Sequence, residues 1–201
     1  IKERAKVNPE VKIWPEKDVE RDTVVKDNII WTPRWSKQLF SNMGVVGAGN
    51  IDITPEFVAG LATAYASTLK ERKLVTVSAD SYKLSNSLKR AFIGGLQTAG
   101  VDVIDIGDTV TPVARYSVYN LGAQGGIHIR ISYDNPKNVV IEFLNEKGAN
   151  ITSSEQKSIE KKFFAEDYNR ASLKNIGDYS FAPEMNKGYI ENVLEMLDIE
   201  T

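Results

Sequence analysis

The chain has 201 residues, 42% of them hydrophobic, and 25 Lys and Arg against 27 Asp and Glu leave a net charge of −2. Near-neutral balance with scattered cations argues against nucleic acid, no apolar run reaches the ~18 residues of a membrane span, and no basic-then-apolar signal segment opens the chain. The lack of Cys and the single His128 exclude a disulfide framework, a thiolate metal site and a multi-histidine metal site, so the expectation is a soluble, cytoplasmic chain, cut from something longer because it opens at Ile1.

In chain order, Val7, Ile13, Val19 and Val25 recur every six residues and Trp31 continues the series, with Asn8-Pro9, Pro15, Asp22 and Asp27-Asn28 as turn formers between them. A period of six fits neither the 3.6 of a helix nor the 2 of a strand. It suits a β-helix, so residues 1–31 are expected to form a hexapeptide-repeat fragment, an irregular arm being the plainer alternative. Residues 32–43, with Pro33, Trp35 and Phe40 and no period, read as a packed linker. Residues 44–183 then alternate strand and helix. Thr54-Pro55-Glu56 starts a helix, 74–77 is a buried strand, and Ser85 or Asn86 caps a helix that Gly100 ends. A strand at 101–104 precedes a helix opened by Thr111-Pro112. Strands at 127–132 and 139–144 flank a loop, and Asn145-Glu146-Lys147-Gly148 turns the chain. Thr152 with Glu155 is a capping box for the next helix. After a loop, a last helix falls within 184–201 and leads toward a missing next domain. Such alternation predicts an α/β fold, a three-layer αβα domain with a mixed sheet.

Ligands of open α/β sheets bind where strands end and helices begin, and three such exits carry small hydroxyl residues. They are the segments running from Ser78 to Ser85, from Gly107 to Thr111 and from Ser132 to Asn135; Ser85 and Thr111 serve as simple caps on the plainer reading. Ile127, Ile129 and Ile131 alternate with His128, Arg130 and Ser132, which predicts a buried Ile129 and an Arg130 facing the crevice. Ser132, at the exit forced by Asn135-Pro136, could be a nucleophile or a phosphate carrier. No Gly-x-Ser-x-Gly elbow is present and His128 lies behind Arg130, which argues against acyl transfer and leaves His128 a packing role.

Gly44-Val45-Val46-Gly47, Thr54-Pro55-Glu56-Phe57, Asp80 with Ser85, Gly107 with Thr111-Pro112, and Gly125-Gly126-Ile127 through Ser132 and Asn135-Pro136 together resemble the first domain of the phosphohexomutases, the phosphoglucomutases and phosphomannomutases. The resemblance implies that Ser132 stands at the serine that carries the phosphoryl group to and from a hexose phosphate. It also implies that Mg²⁺ assists from an Asp-rich loop of a second domain, leaving no metal in this chain. Several positions depart from the family pattern. Tyr133 replaces the usual His, Glu142 stands where a phosphate-binding Lys is usual, and the Arg expected beside Gly44 is missing. Tyr82 replaces another Arg, with Lys83 a substitute. Arg130, Lys137 and Lys83 are then the cations left to meet a substrate phosphate, while Asp134 and Glu142 oppose them.

The hexads ahead of this region resemble the left-handed β-helix in the rear part of sugar-1-phosphate nucleotidyltransferases of the mannose-1-phosphate guanylyltransferase type. Two functions are implied. The first is a mutase-like domain of such a transferase with a degenerate phosphoserine loop, acting in assembly or sugar-phosphate binding, with a homo-oligomer formed through the β-helix. The second is a working phosphohexomutase domain phosphorylated on Ser132. Sugar phosphate is the expected partner in both.

Overall fold

Strands that are apolar on both faces need cover on both sides. Residues 75–79, 125–130 and 139–144 are buried throughout, the polar His128, Arg130 and Glu142 included, and they form the centre of a sheet. The computed structural model describes residues 2–9, 11, 19, 21, 24–25, 38–70 and 74–197, in two units, Ile1–Lys37 and Gln38–Thr201. In the first unit β1 (Lys6–Val7) pairs in parallel with β2 (Val24–Val25), Lys6 opposite Val24 and Val7 opposite Val25. Partners are 24 − 6 = 18 residues apart, which is three six-residue repeats. Ile13, Trp31 and Trp35 lie outside the described residues.

The second unit holds β3 (Phe40–Ser41), β4 (Gly44–Ala48), α1 (Pro55–Ala66), β5 (Leu74–Ala79), α2 (Lys83–Thr98), β6 (Asp102–Asp108) and α3 (Thr111–Asn120). It continues with β7 (Gly125–Ile131), β8 (Asn138–Asn145), α4 (Ser153–Phe164), β9 (Tyr179–Phe181) and α5 (Met185–Met196). One seven-stranded sheet runs in the order β3-β4-β8-β7-β5-β6-β9. β7, β5, β6 and β9 are parallel, whereas β8 is antiparallel to both β7 and β4. Helices α1, α2 and α4 pack together over one face, and α3, with α5 beside it, covers the other. This is the three-layer αβα domain with a mixed sheet.

On the α1–α2 face, Phe143 of β8 is ringed edge-on by Phe40, Tyr65 and Phe92 at centroid distances of 5.1, 5.3 and 6.0 Å. On the α3 face Ala114, Val118, Ala123 and Leu144 cluster together. Such interlocked burial, at roughly 25 cal/mol per Å² of apolar surface, is what holds the layers.

Local chemistry sets most element ends. The Thr54 hydroxyl accepts the Phe57 N–H, and the Thr152–Glu155 capping box is complete. Gly148 closes the turn after β8 at φ +71°, where a Cβ would also strike the Arg115 carbonyl at 2.3 Å. Two expected caps fail. α2 begins two residues before Ser85, with Tyr82 as its uncapped N-cap, and Ser85 is wholly buried with its hydroxyl unbonded. Thr111 is the first residue inside α3, not its cap. The loop expected after α4 contains β9, whose three residues are all exposed and so give no period-2 signal. Among the described residues no helix is long and apolar enough to cross a membrane.

Candidate functional site at the exit of β7

Parallel pairing brings the C-terminal ends of β5, β6 and β7 to one edge of the sheet. Ser132 directly follows β7 and is 6% exposed. Its N–H donates to the Asn138 carbonyl at 2.8 Å, where the chain re-enters the sheet as β8. One residue earlier, the Ile131 N–H donates to Asp80 Oδ2 at 2.7 Å, and Asp80 Oδ1 accepts the Tyr82 N–H at 3.0 Å. The Asp80 N–H donates to the Ile129 carbonyl. Two successive peptide donors at the exit are thus fixed, one by a carboxylate and one by the returning strand. Residues 133–137 form an exposed loop, tied by the Asn135 carbonyl to the Asn138 N–H and by Asn135 Oδ1 to the Lys137 N–H.

Arg130 does not face an open crevice as the alternation predicts. It is 7% exposed, because α3 covers the polar side of β7 as fully as α1 and α2 cover the apolar side. Its Nε donates to Glu142 Oε1 at 2.6 Å, and its Nη1 donates to the Ile131 carbonyl at 3.2 Å. Glu142 also faces Arg115 of α3 at 3.6 Å, while Arg115 donates to the Gly148 carbonyl and to Asn150 Oδ1. Two guanidinium groups therefore share one buried carboxylate, which holds Arg130 in place.

Behind this pair His128 is 1% exposed, with Nδ1 2.9 Å from Ser78 Oγ. Burial, reinforced by the Arg130 charge, pushes its pKa down to about 4, with Asp80 pulling the other way. The imidazole is thus neutral near pH 7 and packs as a polar core residue.

Of the sequence-predicted site residues, the structure places Ser132, Arg130 and Lys137 on the β7 exit and its loop, Lys137 being exposed. Lys83 opens α2 and is exposed at the neighbouring exit, that of β5. Asp80 was visible in sequence as an acid between a strand and a helix start; Arg115 carried no local signal, because only the packing of α3 brings it to Glu142. Among the described residues no three His, Cys, Asp or Glu side chains group as metal ligands. Asp80 has each of its oxygens on a backbone donor, which makes it a brace for the β7 exit. A cavity of about 670 Å³ lies at the other end of β7, lined by Tyr65, Gln124, Asn145 and Ser158 among others, and is no part of this site.

Residues 37–170 match the family described as phosphoglucomutase/phosphomannomutase, alpha/beta/alpha domain I. A phosphoglucomutase/phosphomannomutase of Thermococcus kodakarensis is 35% identical over 81% of this chain and 36% of its own length. A phosphoglucosamine/phosphogalactosamine mutase of Sulfurisphaera tokodaii is 29% identical over 81% of the chain and 36% of its own. Among solved structures, a phosphoglucomutase/phosphomannomutase family protein of Burkholderia thailandensis superposes with a TM-score of 0.68 at 20% identity, covering 78% of this chain and 35% of that one. The chain thus spans just over a third of the length of these relatives.

Proposed function

The chain belongs to the phosphoglucomutase/phosphomannomutase family through its α/β/α domain I, and from that premise we propose that this domain presents a hexose phosphate to Ser132, which accepts and returns the phosphoryl group. In the accepting direction a bond forms between Ser132 Oγ and phosphorus, the sugar oxygen–phosphorus bond breaks, and the serine proton passes to the sugar oxygen. The observation that carries the reading is the fixed backbone around Ser132, with the Ile131 N–H on Asp80 and the Ser132 N–H on Asn138. A reacting hydroxyl held on a rigid strand exit needs little reorganisation. Lys137 and Lys83 are the exposed cations at this edge that would meet the substrate phosphate.

Intact-mass analysis after incubation with glucose 1,6-bisphosphate tests the proposal. One phosphate should appear on Ser132 and be absent from Ser132→Ala.

A second reading has its own support. The Arg130–Glu142 pair places a carboxylate where phosphoryl transfer needs positive charge, and β1 and β2 pair three hexads apart, as successive coils of a three-sided β-helix would. On that reading the domain is the degenerate mutase-like part of a sugar-1-phosphate nucleotidyltransferase, retained for assembly through the β-helix or for sugar-phosphate binding. Wild-type protein that stays unphosphorylated in the same experiment would favour it.

A further inference from the structure

Tyr133 follows Ser132 and is 80% exposed, yet its ring is not loose. Arg130 Cζ lies 4.4 Å from the ring centroid. That guanidinium is buried and anchored to Glu142 and to the Ile131 carbonyl, so it covers one face of the ring with a fixed, flat group. The exposed area belongs to the opposite face and the edge. The peptide on its N-terminal side is pinned as well, by the Ser132 N–H on Asn138. An aromatic residue at a strand exit gains by folding back onto apolar surface; this one is held outward beside the serine.

The charges around it nearly cancel. Glu142 matches Arg130, and Asp134 in the loop offsets Lys137. Charge alone therefore distinguishes poorly between a phosphorylated sugar and free phosphate. A pyranose ring has one face of C–H groups that packs on an aromatic ring while its hydroxyls remain in water at the rim.

We infer that Tyr133 is the platform on which the sugar ring of the substrate rests, a specificity-determining contact backed by Arg130; the inference rests on Ser132 being the phosphoryl carrier of the proposed reaction.

The test uses the 201-residue chain, with glucose 6-phosphate and mannose 6-phosphate as probes and inorganic phosphate as control, each titrated by ligand-observed NMR. Tyr133→Ala should weaken both hexose phosphates by about fivefold, the scale of one lost aromatic contact, and leave inorganic phosphate unchanged. Tyr133→Phe should stay close to wild type, because the ring and not the hydroxyl makes the contact. Equal affinity of Tyr133→Ala and wild type for the hexose phosphates overturns the platform. So does an equal loss in Tyr133→Phe, a parallel loss of inorganic phosphate, or a wild-type chain that binds hexose phosphate no better than phosphate. Ser132 phosphorylation by glucose 1,6-bisphosphate is measured on the same samples. An unphosphorylated wild type with Tyr133-dependent hexose binding removes the carrier reading and, with it, the platform's part in the reaction, leaving Tyr133 as a hexose-phosphate contact only. A phosphorylated wild type with Tyr133-independent binding keeps the carrier reading and removes the platform.

Discussion

The two sides of β7 are buried alike and built from opposite chemistry. Toward α1 and α2 the strand presents Ile127 and Ile129, each about 0–1% exposed and opposed across the ladder by Phe143 and Ile141. Toward α3 it presents His128 and Arg130, no more than 7% exposed, whose partners come from β5 (Ser78), β8 (Glu142) and a neighbouring carbonyl, with α3 adding Arg115. The first side needs only apolar neighbours of the right volume. The second needs particular atoms at particular distances, since a buried polar group without a partner costs more than a bonded one gains. One side is a core; the other is a polar network that must be complete.

The largest effect should come from putting the wrong chemistry on the apolar side. Ile129→Asp removes a fully buried side chain and leaves an unpaired carboxylate among Phe143, Ile141 and the helices, so a loss of about 5 kcal/mol is expected by chemical unfolding. A loss below about 1 kcal/mol, typical of surface positions, would show that Ile129 does not face the core.

The matching change on the polar side is Glu142→Ala. It strands Arg130 in the interior, while Arg115 keeps the Gly148 and Asn150 oxygens, so about 4 kcal/mol should be lost. The double variant Arg130→Met/Glu142→Leu should be more stable than Glu142→Ala, because replacing both charges leaves nothing unpaired. If the double variant is the less stable of the two, Arg130 and Glu142 do not act as a pair.

The alternation of Ile and polar residues along 127–132 correctly predicts the buried position of Ile129, and strand-helix alternation gives the three layers. These are properties of single elements read one at a time. The burial of Arg130 is not readable that way. A period of 2 separates the faces of a strand but says nothing of whether a second helical layer covers the polar one. Glu142 was conspicuous as an acid in place of a lysine, but its role as the partner of Arg130 depends on the β7–β8 register, which places it opposite His128 and diagonal to Arg130. Ser85 shows the converse error: a residue type that favours caps sits inside the first turn of α2 and caps nothing.

A third effect is pH-dependent and belongs to the polar side alone. His128 has a pKa of about 4 in the folded chain, from burial first and the Arg130 charge second, against an ordinary 6.5. Between these values the unfolded chain binds the proton and the folded chain does not, so this residue's contribution to stability falls as pH drops from about 6.5 to about 4. Above that window both states are neutral and the contribution is constant. The shift corresponds to about 3 kcal/mol in all. His128→Gln should lose that part of the pH slope, and the difference between the two unfolding curves across the window isolates it from the carboxylates. Parallel curves would mean that His128 titrates alike in both states.

The smallest effect should come from Ser78→Ala, which removes the hydroxyl beside His128 Nδ1 without touching any charge. Ser78 Oγ lies 2.9 Å from that nitrogen and donates to the Ile127 carbonyl at 3.3 Å, so its loss leaves one ring nitrogen short of a partner. A neutral buried hydrogen bond of this kind contributes about 1 kcal/mol. The low pKa of His128 arises from burial and from Arg130, with smaller effects of Asp80 and Arg115, and none of these changes when Ser78 becomes Ala. Stability should therefore drop by the same amount at every pH, with the His128 window staying where it is. A window moved toward 6.5 would mean that the alanine admits water to the imidazole. The polar side of β7 would then depend for its dryness on Ser78 as well as on the cover of α3.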